Sequence, residues 1–310
     1  MERALGSDQS LSVTYVGSHG VNLLREDTIQ NNPNTSPSIY STRNADWSNY
    51  NALQLQFLRH MSRGLQALAS YTFAKSLDTN SIDVCGCTTS NSLANIDIAR
   101  DYAASSFDVR HSFAAAISYE FPSPESQGIS QALARGWALY GVVHVNSAPP
   151  FNVITFGESP LFGAYITRPD IVPGIPFYLP DPTNPGDRRL NAAAFTTPPP
   201  GEQGNLPRNY FRGFSVAQAD IAVSRRFRLS ERLSLYSRVE YFNVFNHPMF
   251  APPPANFNKR PYLSGFGKIT DTLNDYLSGV TFGFYDGGAL SPVYQLGGPR
   301  SGQLTLRLEF

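Results

Sequence analysis

Residues 50–75 read YNALQLQFLRHMSRGLQALASYTFAK, two alternating runs joined by a few turn-forming residues. In the first run Leu53, Leu55 and Phe57 share one face, while Ala52, Gln54 and Gln56 share the other. In the second, Leu65, Ala67, Ala69, Tyr71 and Phe73 oppose Gln66, Ser70 and Thr72. Successive side chains of a strand point to opposite faces, so this alternation marks a strand with one face withdrawn from water. The link MSRG, with Gly64, predicts an antiparallel hairpin.

The same period recurs along the chain. HSFAAAISYEF sets Phe113, Ala115, Ile117, Tyr119 and Phe121 against Ser112, Ser118 and Glu120. GWALYGVVHVN sets Trp137, Leu139, Val143 and Val145 against Tyr140, His144 and Asn146. ADIAVSRRF places Ile221, Val223 and Phe227 opposite Asp220, Ser224 and Arg226. RLSLYSRVEYFNVF, read as one strand, places Leu233, Leu235, Val239 and Tyr241 opposite Ser234, Arg238 and Glu240. The terminal GQLTLRLEF sets Leu304, Leu306, Leu308 and Phe310 against Gln303, Thr305, Arg307 and Glu309, and SLSVTYV offers Leu11, Val13 and Tyr15. The count is about eight strands of roughly 7–14 residues, bracketing the 9–11 that cross a bilayer at a tilt.

Composition narrows the class. The chain is 310 residues, 41% hydrophobic and only 15% charged, against roughly 25% in ordinary soluble domains. Its formal net charge is zero, so it lacks the basic stripe of a nucleic-acid binder. No apolar run approaches the length of a membrane-spanning helix, but a transmembrane barrel needs lipid-facing residues only at alternate positions. The first residues, MERALGSDQSLSVTYVG, hold no signal-peptide core, so an outer-membrane protein starting here is expected to be a fragment.

Connections alternate in length. MSRG, Pro122–Ala134 and the RLSER turn around Ser230 are short, whereas Gly17–Asn49, Ser76–Ser106, Thr155–Phe214 and His247–Ser301 read as long loops. Short periplasmic turns and long extracellular loops are the habit of outer-membrane barrels, and rare in compact soluble domains. Tyr119, Phe121, Trp137, Phe227 and Phe310 fall at the short-turn ends, and Tyr71, Phe73, Tyr241 and Phe245 at the long-loop ends. Two such belts match an interfacial aromatic girdle. The fold expected is therefore all-β, an antiparallel transmembrane β-barrel segment occupying residues 1–310.

Particular stretches sharpen this. RRLNAAAFTTPPPGEQGNLPRNYFRG, ADIAVSRRFRLSERLSLYSRVEYFNVFNHPMF, FGKIT and GGPRSGQLTLRLEF stand in this order. They resemble the end of Oar-like TonB-dependent receptors, through Leu190–Phe195, Gly204–Gly213 and Arg238–Phe250. VTYVGSHGVNLL, the hairpin above and FDVRHSF also resemble that family's strands, so the likeness covers nearly the whole chain, loops least. FSVAQADIAV departs from it, because the family places a Pro-Gly in the preceding loop. The resemblance implies a 22-stranded barrel around a plug, with a carboxypeptidase-regulatory-like N-terminal domain. It further implies outer-membrane lipid as surroundings, absent N-terminal plug and barrel strands, and the TonB energy-coupling complex as a partner reached through that absent part. The terminal strand ending in Phe310 is similar to the signal read by the barrel-assembly machinery. No nucleic-acid partner is implied.

Chemical motifs are missing: there is no HExxH, GxSxG, P-loop or GxGxxG. His19, His60, His111, His144 and His247 are scattered without metal-ligand spacing. Cys85 and Cys87 give two thiols, short of the four ligands of a structural zinc, and read as a loop pair. The expectation is a non-enzyme with no catalytic, cofactor-binding or metal residue and no cofactor. Asp220, Arg226, Arg238, Glu240, Arg307 and Glu309 face inward, either lining a solute path or, as favoured here, pairing across neighbouring strands. Two other readings stand beside the transporter segment. One is a self-contained eight-stranded barrel acting as anchor or adhesin. The other is a soluble β-sandwich, which would need its apolar faces to meet in a core.

Overall fold

The computed structural model describes residues 1–32, 35–81, 97–123, 134–159, 163–255, 265–273 and 298–310. One ten-stranded antiparallel sheet dominates. Its main strands are β1 (Glu2–Ala4), β2 (Gln9–Asn32), β3 (Thr35–Ser62), β4 (Leu65–Asp78), β5 (His111–Glu120), β6 (Trp137–Asn146), β7 (Val216–Arg228), β8 (Ser234–Phe242) and β9 (Ser301–Glu309). Each pairs with the next in sequence, and the two-residue Ala103–Ala104 adds to the end of β4. Cys85 and Cys87 lie outside the described residues, as does most of the short connection after Pro122.

Register converts the sequence alternation into two continuous faces. Val13, Leu55, Tyr71, Phe113 and Val145 stand in one row from β2 to β6. Leu139, Val223, Val239 and Leu304 continue the same face from β6 to β9. The other face carries Thr14, Gln54, Thr72, Ser112 and Asn146. The apolar face meets no second layer: Leu53, Phe73, Ile117, Leu139, Tyr241 and Leu304 are all exposed. Apolar side chains that no protein covers fit a lipid-facing surface and defeat a sandwich, which would bury them.

The turns described at one end are short. Arg63 and Gly64, with φ of 51° and 79°, close β3 onto β4 in the left-handed pair of a tight hairpin. A Cβ on Gly64 would lie 2.3 Å from the Glu120 carbonyl oxygen, so this position is closed to larger residues. Residues 229–233 close β7 onto β8, with the Leu229 and Ser230 amides both donating to the Leu233 carbonyl.

At the other end three expectations are corrected. Gly17–Asn49 is not a loop: β2 and β3 stay paired from Ser18↔Tyr50 out to Asn32↔Thr35. The alternation stops because neither face of this projection meets lipid, and register shifts break the period between Gly20 and Leu23 and again beyond Thr28. At about 3.3 Å per residue the projection extends about 50 Å along the strand past Gly17. Likewise β8 stops at Phe242, short of Phe245, because Asn243 turns left-handed at φ 47°. Its side chain donates to the His247 and Gly298 carbonyls and accepts from the His247 amide, so the FNVFNHP stretch is a locked turn. Third, the described residues of Thr155–Phe214 form small antiparallel pairs, among them Asp170–Ile171 with Phe195–Thr196 and Tyr178–Pro180 with Arg188–Leu190.

The hydrophobic core sits here, off the sheet. Phe151, Val153, Leu190, Ala194, Phe195, Leu206 and Phe211 are buried together, with Phe177, Tyr178 and Phe266 packed against them. Phe211 meets Phe151, Phe177 and Phe195 at ring separations of 5.8, 5.3 and 6.0 Å. Each fully buried Phe contributes about 1.5–3 kcal/mol, enough to order a segment with little regular structure.

Candidate functional site

The long-loop end of the sheet carries a cluster of buried charges beneath this aromatic core. Arg25, on the projecting part of β2, is only 1% exposed. Its guanidinium donates to Asp27 at 2.7 Å, Asp46 at 3.1 Å and Asp101 at 3.0 Å. Asp27 and Asp46 come from the projecting hairpin itself, and Asp101 from a short 3-10 turn, Ile98–Asp101, capped by Asp97. Around Arg25 the acids hold its proton more firmly than usual, although burial alone would weaken it. Arg43 covers Asp27 from outside at 2.7 Å, and the Thr79 hydroxyl donates to Asp46 at 2.7 Å.

The segment between β6 and β7 is tied into the same cluster by arginines. Arg168 donates to Asp101 at 2.8 Å and to the Leu206 carbonyl at 2.9 Å. Arg208 donates to the Asp101 carbonyl at 2.9 Å and pairs with Asp78 at the end of β4. Asn209 donates to the Ala104 carbonyl at 2.7 Å. Arg212 pairs with Asp108 and donates to the Asp108 and Ala148 carbonyls. Burial would raise the Asp108 carboxyl, but the Ser76 amide, Arg212 and Arg110 together hold it below the ordinary value.

Three separate segments are thereby bolted into one cap. Buried ion pairs give little net stability compared with apolar packing, but removing one partner strands a buried charge at about 3–5 kcal/mol. Their effect is to fix one arrangement of the projecting hairpin, residues 97–110 and residues 147–215. The acids surround guanidinium groups, and among the described residues no group of three His, Cys, Asp or Glu side chains is arranged to hold a metal.

The inward charges predicted from sequence lie on the polar face, lower in the sheet. Their pairing differs from the cross-strand expectation. Arg238 pairs along its own strand with Glu240 at 2.8 Å, and Arg307 along its own with Glu309. Arg226 reaches Glu309 at 3.5 Å past the intervening β8. The register explains this, since Arg238 faces Ser224 and Thr305, and Glu240 faces Ala222 and Gln303. Asp220 accepts from Gln218 and from the Asn243 amide. With Tyr140, whose ring lies 4.6 Å from the Arg238 guanidinium, Asp220, Arg238 and Glu240 line a shallow hollow on the polar face. Of the histidines, His111 bonds Tyr71 at 2.7 Å and His19 bonds Asn49 at 2.7 Å, both in pairwise structural contacts.

The cap arginines and aspartates were missed by period-based reading. One signal was present: Arg208 and Arg212 fall inside Gly204–Gly213, and Asp108 inside FDVRHSF, the stretches that carry the family resemblance.

A family described as the outer membrane beta barrel domain matches residues 1–276. No curated protein matches. Among solved structures, the outer membrane transporter YddB from Escherichia coli is similar at 9% identity and a TM-score of 0.48. The match covers 86% of this chain and 29% of that one, so the chain spans under a third of the transporter's length. The chain belongs to the outer membrane beta barrel domain family, and its place is the outer membrane.

Proposed function

We propose that the chain is the C-terminal barrel segment of a TonB-dependent receptor, moving a large or scarce substrate inward past a pre-ordered extracellular cap, without enzymatic chemistry of its own. The observation that carries this reading is the sheet's two open edges. Among the described residues β9 pairs only with β8, and β2 beyond Val13 pairs only with β3, although both strands carry lipid-facing side chains. In hydrocarbon each unsatisfied backbone group costs several kcal/mol, so further strands have to cover these edges. A 22-stranded transporter barrel would supply about fourteen. The bolted cap supports the same reading, since a receptor mouth gains affinity from loops that need no ordering on binding.

The test is made in the organism's own cells. An epitope placed in an extracellular segment is used to recover the protein after crosslinking to the periplasmic domain of the energy-coupling protein. The reading expects a product carrying a plug and about 22 strands that crosslinks to this domain. A self-contained eight-stranded product, or a full-length one that never crosslinks, overturns it.

A further inference from the structure

The last strand has a register that its own alternation does not specify. β9 sets Gly302, Leu304, Leu306 and Leu308 opposite Tyr241, Val239, Ser237 and Leu235 of β8 on the lipid-facing side. A slip of two residues keeps every leucine on that side, because the faces of a strand repeat at every second residue. Slipped one way, Arg238 would face Arg307, a like-charge pair that a sheet disfavours. Slipped the other way, toward the short-turn end, Ser237 would face Leu304 and Arg232 would face Glu309, and no like charges meet. The Arg307–Glu309 pair lies within β9 and moves with it. Elsewhere a tight turn fixes the pairing, as Arg63 and Gly64 do for β3 and β4, but residues 243–300 separate β8 from β9.

The FNVFNHP turn supplies what the alternation lacks. Asn243 is 2% exposed. Its backbone amide donates to Asp220 on β7 at 2.8 Å, and the next amide, of Val244, donates to the Ala219 carbonyl at 2.9 Å. From the same turn the Asn243 side chain donates to the Gly298 carbonyl at 2.9 Å, and the Asn246 side chain accepts from the Arg300 amide at 3.0 Å. Both asparagines are left-handed, with φ of 47° and 51°, and the Asn246 amide donates to the Asn243 carbonyl at 2.8 Å. One rigid turn thus holds β7 on one side and the residues entering β9 on the other. A second feature reads the same register: the Tyr241 ring lies over Gly302, where a Cβ would come within 3.2 Å of it. An aromatic side chain covering a cross-strand glycine is matched to that one pairing.

We infer that Asn243 and Asn246 form a register clamp, which selects the pairing of β9 with β8 among the two-residue slips that the leucines allow. Among the described residues β9 is the last strand of the sheet. Strand number and stagger are linked in a closed barrel, so the clamp also sets the stagger with which β9 meets the rest of the wall. It sets the level of Phe310 as well, which the permitted slip would carry about 7 Å further past the short turns. This inference rests on the outer-membrane barrel alone and stands independently of the transport reading.

The experiment uses disulfide crosslinking of the full-length protein in outer membranes, with Cys85 and Cys87 replaced by serine and a membrane-permeant oxidant. Ser237→Cys with Leu306→Cys reports the native register, and Ser237→Cys with Leu304→Cys reports the slipped one. Directly opposite residues lie about 5 Å apart and diagonal ones about 7–8 Å, so only the opposite pair can be bridged. With Asn243 in place, the native pair should close and the slipped pair should not. Asn243→Gly keeps the left-handed turn and removes the side chain. It should raise the slipped disulfide about tenfold, as expected for loss of the buried hydrogen bonds. Asn243→Asp, which loses only the donor to Gly298, carries the test if the glycine variant does not assemble. Gel mobility with and without heating confirms that each variant is folded. A folded Asn243 variant that forms the native disulfide alone overturns the clamp, as does a slipped disulfide of equal yield with Asn243 in place.

Discussion

Replacing Arg25 with methionine isolates what the buried charge cluster does. Methionine fills similar space but offers no donor, so Asp27, Asp46 and Asp101 lose a guanidinium that lies within 2.7–3.1 Å of all three. Arg43 still covers Asp27 and Thr79 still donates to Asp46, so Asp101 retains only Arg168 as a cation. Stranding charge in a buried cluster costs about 3–5 kcal/mol. At 1.36 kcal/mol per power of ten, this raises local opening of the cap by about two to three and a half orders of magnitude. Hydrogen exchange on the full-length protein in detergent reads this out directly. Peptides spanning 23–47 and 97–107 should exchange faster, while those from 65–75 and 111–120 keep their wild-type protection. Arg43→Ala is the control: its side chain is 44% exposed, and the effect should stay below about 1 kcal/mol. Unchanged exchange in the cap peptides, or equal acceleration in the sheet, would refute the view that Arg25 bolts the cap as a local unit.

Asp108 gives the pH dependence. Its carboxyl sits below the ordinary value in the folded state, so its stabilisation is present above the unfolded value and lost as pH falls through the folded one. Cap exchange should therefore accelerate in acid below about pH 4, and Asp108→Asn should flatten that limb. Phe211→Ala removes the ring that meets Phe151, Phe177, Tyr178, Phe195 and Tyr210 and is expected to cost about 3–5 kcal/mol in the cap. Proteolysis from the cell surface should then cut within residues 147–215. Gly64→Ala forces a Cβ against the Glu120 carbonyl and a left-handed φ, so assembly yield, read by heat-modifiable gel mobility, should fall. Wild-type yield would mean that the β3–β4 turn has another way to close.

How much was legible depended on whether a residue's environment repeats along the chain. Leu53, Leu55 and Phe57 face lipid at every second position, a pattern written locally and readable without any partner. Strands β2–β9, their faces and the end at which the chain turns sharply all follow from it. Where the environment stops repeating, the reading failed. The projecting part of β2 and β3 has water or loop on both faces, so its sequence shows no period and predicts a loop. The ion pairs of β8 and β9 ran along strands because register set Arg238 opposite Ser224 and Thr305, which alternation alone does not specify.

The cap lies wholly on the other side of that division. Arg25 meets Asp101 across 76 residues, and Arg208 meets Asp78 across 130, with no spacing rule to connect them. The sequence by itself determined a sheet with one lipid-facing and one polar side, because a strand's two-residue period and its turns are set by neighbours in the chain. Only the tertiary structure decided that the described parts of these segments join in one cap, because a buried charge selects its partner by position in space.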